Sequence, residues 1–400
     1  MNVGRLRLEE FRSYRHLDLT IPPTGYRLIG RNASGKTTLL EAIVVLSTTR
    51  SPRTQSDREL INWKSGEAYG VPPFARLDAE VGTQRDRHRI EIGVQVDPQQ
   101  RSGAIKTFKY DGQRVRAHDM VGTVKAVLFS PDDLSLVSGP PAERRRHLDL
   151  LLSLLDRDYL RALSRYNRLL AQRNGLLKSM MRNRADPRSK HTATELAFWD
   201  EAIIAEGAYV VAARTHQIAR LSESVRCQSE RLTAEAGLAL TYLPRLDGIE
   251  TDAVGGHPHQ LSESTTAVAA RYERQLLEAR ADEIRRGVTL LGPHRDDVGF
   301  EIDGRSLAQF GSRGQQRLGV VALKLGEAAL IAEQTGDLPV LLLDDVLSEL
   351  DEEHRQRLVQ AVTTPGYQLL ITSTDVGTLS DPAIADLPLA RVDSGAVVSG

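Results

Sequence analysis

The segment that most constrains the fold is a glycine-rich octapeptide that fits the pattern G-x-x-x-x-G-K-[ST]. It comprises Gly30, Arg31, Asn32, Ala33, Ser34, Gly35, Lys36 and Thr37. The sequence predicts a strand at residues 26–29 before it and a helix at 38–46 after it. A loop that joins a strand to a helix directs backbone N–H groups and the positive end of the helix dipole at an anion. The chain is therefore predicted to contain an α/β core around a polyphosphate-binding loop, here called the phosphate loop (residues 30–37).

The residue types of the phosphate loop match this chemistry. Gly30 and Gly35 allow the backbone to turn sharply and to approach a ligand closely. Lys36 is expected to reach the outer phosphates as a point charge, and the Thr37 hydroxyl is expected to bind Mg²⁺. Together with Thr38, the eight loop residues form the predicted nucleotide-binding set. The alternative is a glycine-rich turn that binds nothing, which the predicted strand and helix on either side argue against.

A second signal is the apolar run LLLDD at residues 341–345. A continuous apolar run is typical of a strand that is buried on both faces of a parallel sheet. Asp344 at its carboxyl end is predicted to hold Mg²⁺, directly or through water. Asp345 follows in a different direction and can orient or deprotonate an attacking water. Strands often end in aspartate, so this pair is significant only because the chain also contains the phosphate loop. For Asp345, the alternative role is that of a helix-cap or turn residue.

A third signal is the segment FGSRGQQR at residues 310–317, where a predicted helix (313–334) begins. Ser312 and Gly314 at a helix N-terminus would offer a hydroxyl and free N–H groups to an anion. A plain helix N-cap is the alternative interpretation. The position of the segment shortly before the acidic strand favours a functional role.

The two ends of the chain are predicted to form one domain. The phosphate loop lies near the start and the acidic strand near the end, and residues 142–285 between them read as helices. Leucine and tyrosine recur there at spacings of three and four from residue 148 to 170, a pattern typical of paired long helices. We therefore predict a head made of residues 1–134 and 287–400, with residues 135–286 inserted as a helical arm.

The hydrophobic pattern also predicts the kind of sheet at each end. Period-two alternation predicts partly antiparallel strands at residues 3–8, 16–21, 89–96 and 104–110. Continuous apolar runs predict buried strands at residues 288–291, 338–343 and 367–372. Further helices are expected at 194–236 and 264–286, with connections at 184–192 and 243–258. The last residues, 380–400, are expected to form an edge strand or a loose tail.

Taken together, the three signals resemble the ABC-type ATPase head. The segment SELD at residues 348–351 follows the acidic strand as in that class, and LEEFRSY at 8–14 resembles the opening of its SMC branch. Within that branch, the stretches FSPDDL (129–134), GPPAERRRHLD (139–149) and LGPHRDD (291–297) are similar to the bacterial RecF family. The resemblance implies an α/β, ABC-type P-loop ATPase head with a mixed sheet, additional antiparallel strands and an inserted helical arm.

The resemblance implies a function as well as a fold. Two heads would sandwich ATP and Mg²⁺, with Ser312 and Gly314 of one subunit contacting the γ-phosphate held by the other. With Lys36 and Asp345, these residues form the expected catalytic set. The implied protein is an ATP-dependent homodimer of recombinational repair and replication restart. It would bind double-stranded, gapped or junction DNA and help RecO and RecR to load RecA.

The sequence departs from the family pattern at several positions. Ala33 stands where the family usually carries glycine, which costs little if its φ is negative. Arg313 stands where glutamine is usual. The segment SPD at 130–132 replaces the expected glutamine loop, and STD at 373–375 stands where a switch histidine is expected. These departures predict slow ATP hydrolysis.

Arginines in the predicted arm are candidate DNA contacts. Residues 142–183 contain ten Lys and Arg against four Asp and Glu. A helical stripe that can neutralise phosphates is formed by Arg157, Arg161, Arg165 and Arg168. A solvated helix face is the alternative. Arg144 and Arg145 either bind DNA or pair within the head. No aromatic residues interleave with the stripe, which favours contacts with a duplex backbone over base stacking.

Composition narrows the remaining function classes. The single cysteine, Cys227, excludes an intramolecular disulfide and a cysteine-rich zinc site. The first residues do not resemble a signal peptide and no apolar stretch approaches the roughly 18 residues of a membrane span, so a cytoplasmic protein with no membrane association is expected. Two rivals remain: an ABC-type ATPase subunit of transport or translation, and a structural DNA clamp that binds ATP without hydrolysing it.

Overall fold

The computed structural model describes residues 1–66, 70–84, 86–97, 99, 103–233, 237–249, 258–363 and 366–399. The chain divides into two compact units. The first contains residues 1–134, 228–235 and 317–400, and the second contains 135–227 and 236–316. The predicted head begins again at 287, whereas the chain returns to the first unit briefly at 228–235 and then from 317 onward. Residues 287–316 stay in the second unit because their strand Asp297–Ile302 pairs with the strand Ala239–Leu243 of that unit.

Strands are present in both units. Those within the described residues are β1 (Asn2–Phe11), β2 (Tyr14–Thr20), β3 (Gly25–Ile29), β4 (Phe74–Gly82), β5 (Arg87–Val96), β6 (Ala104–Tyr110), β7 (Gln113–Val115), β8 (Ala126–Phe129), β9 (Ala239–Leu243), β10 (Asp297–Ile302), β11 (Arg305–Ser306), β12 (Val340–Asp344), β13 (Leu369–Ser373), β14 (Leu389–Asp393) and β15 (Ala396–Ser399).

Helices range from single turns to long rods. Those within the described residues are α1 (Lys36–Thr48), α2 (Ala117–Met120), α3 (Ser135–Ser138), α4 (Pro141–Leu155), α5 (Arg157–Arg182), α6 (Lys190–Leu232), α7 (Pro258–Arg286), α8 (Leu307–Phe310), α9 (Arg313–Thr335) and α10 (Glu352–Thr363). None of these helices combines the length and apolar character needed to cross a membrane.

The first unit holds two six-stranded sheets. One is antiparallel throughout, in the order β2-β1-β4-β5-β6-β7, as the period-two alternation predicts. The other has the order β15-β14-β3-β13-β12-β8, with parallel pairs except for the antiparallel edge strand β15. The carboxyl ends of β3, β12 and β13 therefore meet at one edge of the parallel sheet, where ligands of open α/β sheets bind.

Helix α1 packs against both of these sheets. Leu39, Ile43 and Leu46 share one buried cluster with Leu77 of β4 and Leu342 of β12. Burial of each such side chain contributes roughly 1.5–3 kcal/mol to stability. The helix that follows the phosphate loop is thus fixed by apolar packing along its length, and the loop is held between two rigid elements.

The second unit contains the long helices α5 and α7, most of α6, and a three-stranded antiparallel sheet in the order β11-β10-β9. The prediction of an arm made of helices alone omits this sheet. The predicted apolar seam from 148 to 170 does not run along one helix, because the chain breaks at Asp156. The Asp156 carboxylate caps α5 by accepting from the backbone N–H of Asp158 (2.7 Å).

Two buried guanidinium groups bind the helices of the second unit together. Arg173 of α5 donates to Asp200 of α6 (2.9 Å) and to Glu283 of α7 (2.7 Å). Arg214 of α6 donates to Asp149 of α4 (2.7 Å). Removing one partner of such a buried pair costs roughly 3–5 kcal/mol, because the other charge is left uncompensated. These contacts therefore specify how the four helices pack.

The segment LGPHRDD contributes to the interior of the same unit. Its residues Pro293–Arg295 form a short 3-10 turn. The His294 ring is hydrogen-bonded to the Tyr166 hydroxyl (2.6 Å). Burial lowers the pKa of His294 to about 4, so the imidazole is neutral near pH 7. Asp296 accepts from the backbone N–H of Arg245 (2.7 Å). The structure thus places this segment in the packing of the second unit.

One strand prediction is wrong. The apolar run at 288–291 is not part of a sheet. The backbone N–H of Val288 donates to the Glu283 carbonyl oxygen (3.2 Å), and that of Leu290 donates to the Glu283 carboxylate (2.8 Å). The end of α7 therefore satisfies backbone groups that a neighbouring strand would otherwise satisfy.

The other predicted elements are mostly present with shifted ends. The strands β12 and β13 and the helix α9 confirm three predictions near the carboxyl end, and the tail forms β14 and β15. Helix α7 begins earlier than the predicted residue 264. Residues 234–236 of the predicted second helix and 250–257 of the predicted break lie outside the described residues.

Candidate nucleotide-binding site

The phosphate loop joins β3 to α1 through a backbone that two glycines make possible. Gly35 has a φ of +115° at the N-cap of α1, and its carbonyl oxygen accepts from the Tyr14 hydroxyl (3.0 Å). A Cβ at Gly30 would lie 2.3 Å from the Val392 carbonyl oxygen of β14, and a Cβ at Gly35 would lie 2.9 Å from the Tyr14 hydroxyl oxygen. A larger residue at either position would displace the loop.

Ala33 has a left-handed backbone, with a φ of +62°. The condition under which alanine costs little, a negative φ, is therefore not met, and this position suits glycine. The left-handed conformation costs alanine roughly 1–2 kcal/mol. Glycine avoids this cost, but it loses more backbone entropy on folding, which offsets part of the difference. The substitution to alanine at this position is thus a source of strain within the loop.

Replacing Ala33 with glycine is expected to raise the free energy of unfolding by about 1 kcal/mol, because it removes this strain. Chemical denaturation followed by circular dichroism measures the change. The matched control is Ala171→Gly on the exposed face of α5, which should lower the free energy of unfolding by about 1 kcal/mol. A loss of stability in both variants contradicts the strain at Ala33.

Lys36 lies folded against the loop that precedes it. Its Nζ donates to the carbonyl oxygens of Gly30 (2.7 Å) and Arg31 (3.1 Å). Burial lowers the pKa of the Lys36 ammonium, and the carboxylates of Asp345 and Asp344 oppose that shift. An ammonium that is held in the loop by neutral carbonyl groups keeps its charge available for an anionic ligand.

Asp344 is the centre of a hydrogen-bonded cluster at the carboxyl edge of the parallel sheet. Its Oδ1 accepts from the Thr37 hydroxyl (3.1 Å) and from the Thr372 hydroxyl (2.8 Å). Thr372 Oγ1 in turn accepts from the backbone N–H of Asp345 (3.0 Å). The predicted Mg²⁺ ligands Thr37 and Asp344 are thus in contact, although the phosphate loop and the acidic strand are distant in sequence.

Thr372 is a site residue that the sequence reasoning missed. It lies in β13 directly opposite Asp344 in the parallel register. One feature of the sequence could have identified Thr372 as a site residue: it is the last residue of the predicted strand 367–372, and the carboxyl ends of parallel strands meet at the same edge of a sheet. Which strands are neighbours was not readable from the sequence.

Asp345 occupies an unusual position just beyond β12. Its φ is +55°, a left-handed value that aspartate adopts more readily than most residues. Its Oδ1 is buried and has no hydrogen-bond partner, and its carbonyl oxygen accepts from the Ser348 hydroxyl (2.6 Å). A half-buried carboxylate with an unused oxygen can accept a hydrogen bond from a bound water.

The site fits a magnesium–triphosphate ligand on its own features. Ser34 is buried, and its hydroxyl has no hydrogen-bond partner, so it can donate to a phosphate oxygen. Arg31 and Asn32 are exposed at the loop, while Thr38 is buried in the first turn of α1. Among the described residues, no three His, Cys, Asp or Glu side chains are grouped to hold a metal. A cation beside Thr37 and Asp344 would therefore complete its shell with phosphate and water oxygens, as Mg²⁺ does.

Ser312 and Gly314 begin α9 and are both exposed. The Ser312 hydroxyl accepts from the backbone N–H of Gln315 (3.2 Å), and the Gln315 side-chain oxygen accepts from the backbone N–H of Ser312 (2.9 Å). This reciprocal capping box orders the helix N-terminus. The N-cap interpretation therefore holds locally, and the exposure leaves the hydroxyl and the first N–H groups open to an anion from outside. These residues belong to the second unit, whereas the phosphate loop belongs to the first.

The structure gives two of the candidate DNA-binding arginines partners inside the second unit. The Arg144 guanidinium makes a two-pronged pair with Asp297 (2.7 and 2.9 Å). Arg145 donates to the carbonyl oxygen of Asp296 (2.6 Å). Both side chains join α4 to the start of β10. The alternative that these arginines pair within the protein therefore applies, although the pairs lie in the second unit and not in the predicted head.

The stripe on α5 is exposed along its length. Its members are Arg157, Arg161, Arg165 and Arg168. Arg165 pairs with Glu206 of α6 (2.5 and 3.0 Å), and Arg161 contacts Asp158 one turn earlier (3.2 Å). Such exposed ion pairs are worth about 0–1 kcal/mol, so these guanidinium groups can exchange their carboxylates for phosphates at little cost.

Comparisons with known proteins agree with this geometry. The model of the RecF/RecN/SMC N-terminal domain family matches residues 2–385. Over the full length of both chains, the sequence is 45% identical to the DNA replication and repair protein RecF of Thermomicrobium roseum and 43% identical to that of Chloroflexus aurantiacus.

Solved structures give the same result. A structure of the recombination mediator protein RecF with ATP, from the RecFOR pathway, superposes with a TM-score of 0.82 at 26% identity, covering 100% of this chain and 97% of the other. An Smc head bound to the winged-helix domain of ScpA superposes with a TM-score of 0.51 at 13% identity, covering 100% and 98% of the two chains. The second likeness concerns the fold alone.

Proposed function

This chain belongs to the RecF family of DNA replication and repair proteins, and on that premise we propose that it is an ATPase whose ATP-driven dimerisation controls its grip on DNA. The contact of Thr37 and Thr372 with Asp344 beside the phosphate loop is the observation that carries the proposal. It joins the predicted phosphate site and the predicted metal site at one sheet edge. The ABC-type ATPase head is formed around this edge.

The residues of the site divide the work of binding and hydrolysis. The backbone N–H groups of Gly30 and Ser34 donate to the carbonyl oxygens of Ser373 and Arg31. The other N–H groups of the phosphate loop bind the phosphates together with the Ser34 hydroxyl, and Lys36 binds the outer ones. Thr37 and Asp344 would hold Mg²⁺, which would neutralise charge on the phosphates. The free oxygen of Asp345 orients a water toward the terminal phosphate and takes its proton. Hydrolysis is slow, because glutamine and histidine are absent from the positions where the family resemblance expects them.

A second copy of the chain completes the site. Ser312 and Gly314 of that copy donate to the terminal phosphate, since their helix N-terminus is exposed and ordered by its own capping box. Bound ATP therefore contacts both copies and stabilises the dimer, and ATP hydrolysis lets the two copies dissociate. We assign the head to the first unit and the signature together with the helical arm to the second.

DNA binding is assigned to the exposed stripe on α5. Arg157, Arg161, Arg165 and Arg168 contact duplex phosphates and release counterions, so affinity falls as salt rises. Arg144 and Arg145 are left out, because their side chains are only partly exposed and pair within the second unit, whereas the stripe is exposed. The protein acts in the bacterial cytoplasm on gapped or junction DNA, with RecO and RecR, to help load RecA. DNA-stimulated ATP hydrolysis distinguishes this function from that of a transport or translation subunit.

The variant Ser312→Arg tests the shared site. We expect it to bind ATP like the wild type but to remain monomeric in Mg-ATP and to lose hydrolysis, because a long cation would occupy the helix N-terminus that faces the second copy. Light scattering and phosphate release are the measurements. Ser164→Arg, which places the same side chain on the exposed face of α5, is the control and should still dimerise. ATP-driven dimerisation of Ser312→Arg would exclude the shared site.

A further inference from the structure

Trp63 is the most exposed large apolar side chain among the described residues. Its relative exposure is 90%, whereas the second tryptophan, Trp199, is only partly exposed. Tryptophan offers a large flat surface, and contact energy in complexes is concentrated on such residues. A tryptophan left in water on the first unit therefore calls for a ligand.

The turn that presents Trp63 is held firmly. The backbone N–H of Asn62 donates to the Glu10 carbonyl oxygen (2.8 Å), and its side-chain amide donates to the Arg12 carbonyl oxygen (2.5 Å). Ser65 Oγ donates to the Phe74 carbonyl oxygen at the start of β4 (2.7 Å). Asn62 and Ser65 are buried on either side of the exposed pair Trp63 and Lys64. The indole is thus presented from a fixed backbone, and binding costs little chain entropy.

Three arginines are linked to this turn, because Asn62 is hydrogen-bonded to the backbone of Glu10 and Arg12 and these residues take part in ion pairs that involve buried carboxylates. Arg12 pairs with Glu41 (2.7 Å), which also faces Arg53 (3.7 Å). Arg15 pairs with Glu10 (3.4 Å). Glu10 and Glu41 are 0% and 1% exposed, whereas the Arg15 and Arg53 side chains are about half exposed. Lys64 is a further exposed cation, and among the described residues Glu59 is the exposed acid nearest to Trp63 in sequence.

We propose that Trp63 stacks on an unpaired base of DNA while Lys64, Arg53 and Arg15 hold the neighbouring phosphates. An aromatic face with cations around it is the combination that binds single-stranded nucleic acid. Trp and Arg are also enriched at protein interfaces, whereas Lys is depleted there, so a protein contact of Trp63 is the alternative that the experiment below tests. The stacked base must come from an unpaired strand, since bases within a duplex have no free face.

This inference rests on the proposed function and makes it more specific. The stripe on α5 has no aromatic side chain among its arginines and contacts phosphates alone. Trp63 in the first unit, in contrast, binds only where a base is unpaired. The chain then carries two chemically different DNA-binding elements. One of them contacts paired strands and the other contacts an unpaired strand.

The experiment uses the full chain with Mg-ATP and three DNA probes. These are a continuous duplex, a gapped duplex, and the same gapped duplex with abasic sites at every unpaired position. A Trp199→Phe background makes Trp63 the only source of indole emission, and the gapped duplex should quench it. We expect Trp63→Ala to weaken binding to the gapped duplex by about 5- to 100-fold and to leave the continuous duplex unaffected. Trp63→Phe should retain most of the affinity.

The abasic probe provides the decisive comparison. If a base stacks on Trp63, the wild type and Trp63→Ala should bind abasic DNA equally. Three results would overturn this inference and leave the proposed function intact. The first is equal affinity of the wild type and Trp63→Ala for the normal gapped duplex. The second is that Trp63→Ala weakens binding to the continuous duplex as much as to the gapped one, and the third is a loss of ATP-driven dimerisation in Trp63→Ala without DNA, which would mark Trp63 as a protein contact. If the wild type binds no gapped DNA, the proposed function fails and the inference with it.

Discussion

Replacement of Lys36 by methionine is expected to weaken ATP binding by at least about 100-fold. The variant keeps the length of the side chain but removes the only cation of the phosphate loop besides Arg31. Loss of one partner from a desolvated charge pair costs roughly 3–5 kcal/mol, and every 1.4 kcal/mol is a factor of ten in affinity. Isothermal titration with Mg-ATP measures the change, and dimerisation and hydrolysis should be lost with it.

The control for this variant is Lys109→Met. Lys109 is an exposed lysine on β6 of the same unit and pairs with Glu91 (2.7 Å). It should bind ATP like the wild type. Circular dichroism of both variants excludes misfolding, which has to be checked because Lys36 also donates to two loop carbonyl oxygens. Near-normal ATP affinity in folded Lys36→Met would refute the phosphate loop as the nucleotide site.

Replacement of Asp345 by asparagine is expected to lower the rate of ATP hydrolysis by about 10²- to 10⁴-fold while ATP still binds. Asparagine keeps the shape and tolerates the left-handed backbone, but it cannot take a proton from water. Single-turnover phosphate release is the measurement. Because binding persists, the variant should accumulate as an ATP-bound dimer.

The matched control is Asp111→Asn, an exposed aspartate in the turn between β6 and β7 whose backbone is also left-handed, with a φ of +48°. It should leave the rate within about twofold, since surface substitutions rarely alter a distant site. If Asp345→Asn releases phosphate as fast as the wild type, Asp345 is not the residue that activates water. If the wild type itself has no turnover with DNA, the protein is the non-hydrolysing clamp.

The sequence predicted the chemical parts of the site because each part has a local signature. The glycine pattern of the phosphate loop and the acidic end of β12 are contained in short segments, and the period-two strands of the antiparallel sheet are equally local. The register that places Thr372 opposite Asp344 is not local. It follows from the parallel pairing of β12 with β13 across α10, which brings together two residues that are 28 positions apart, so the local pattern at the end of β13 did not identify Thr372.

Side-chain partners were the least predictable feature. Arg144 and Arg161 look alike in the sequence, yet Arg144 pairs with Asp297 of a distant strand and Arg161 lies on an exposed helix face. Likewise, a large apolar residue is expected to be buried. The sequence around Trp63 does not indicate that 90% of this side chain is exposed. Such distinctions depend on which surfaces the tertiary structure covers.

The backbone of the phosphate loop shows a similar limit. The pattern places Ala33 inside a loop, but its φ of +62° depends on how β3, α1 and the neighbouring Val392 and Tyr14 fix the ends of that loop. The run at 288–291 was equally ambiguous, because its backbone groups are satisfied by α7 instead of a strand. Short apolar runs do not distinguish these cases.

The most direct measurement is the mass of the protein by light scattering, with and without Mg-ATP, coupled to its affinity for duplex DNA across a salt series. We predict a monomer alone, a dimer in saturating Mg-ATP, and tighter DNA binding by the dimer that weakens as salt rises. A chain that remains monomeric in Mg-ATP and binds duplex DNA equally well without nucleotide contradicts ATP-controlled dimerisation as the basis of its function.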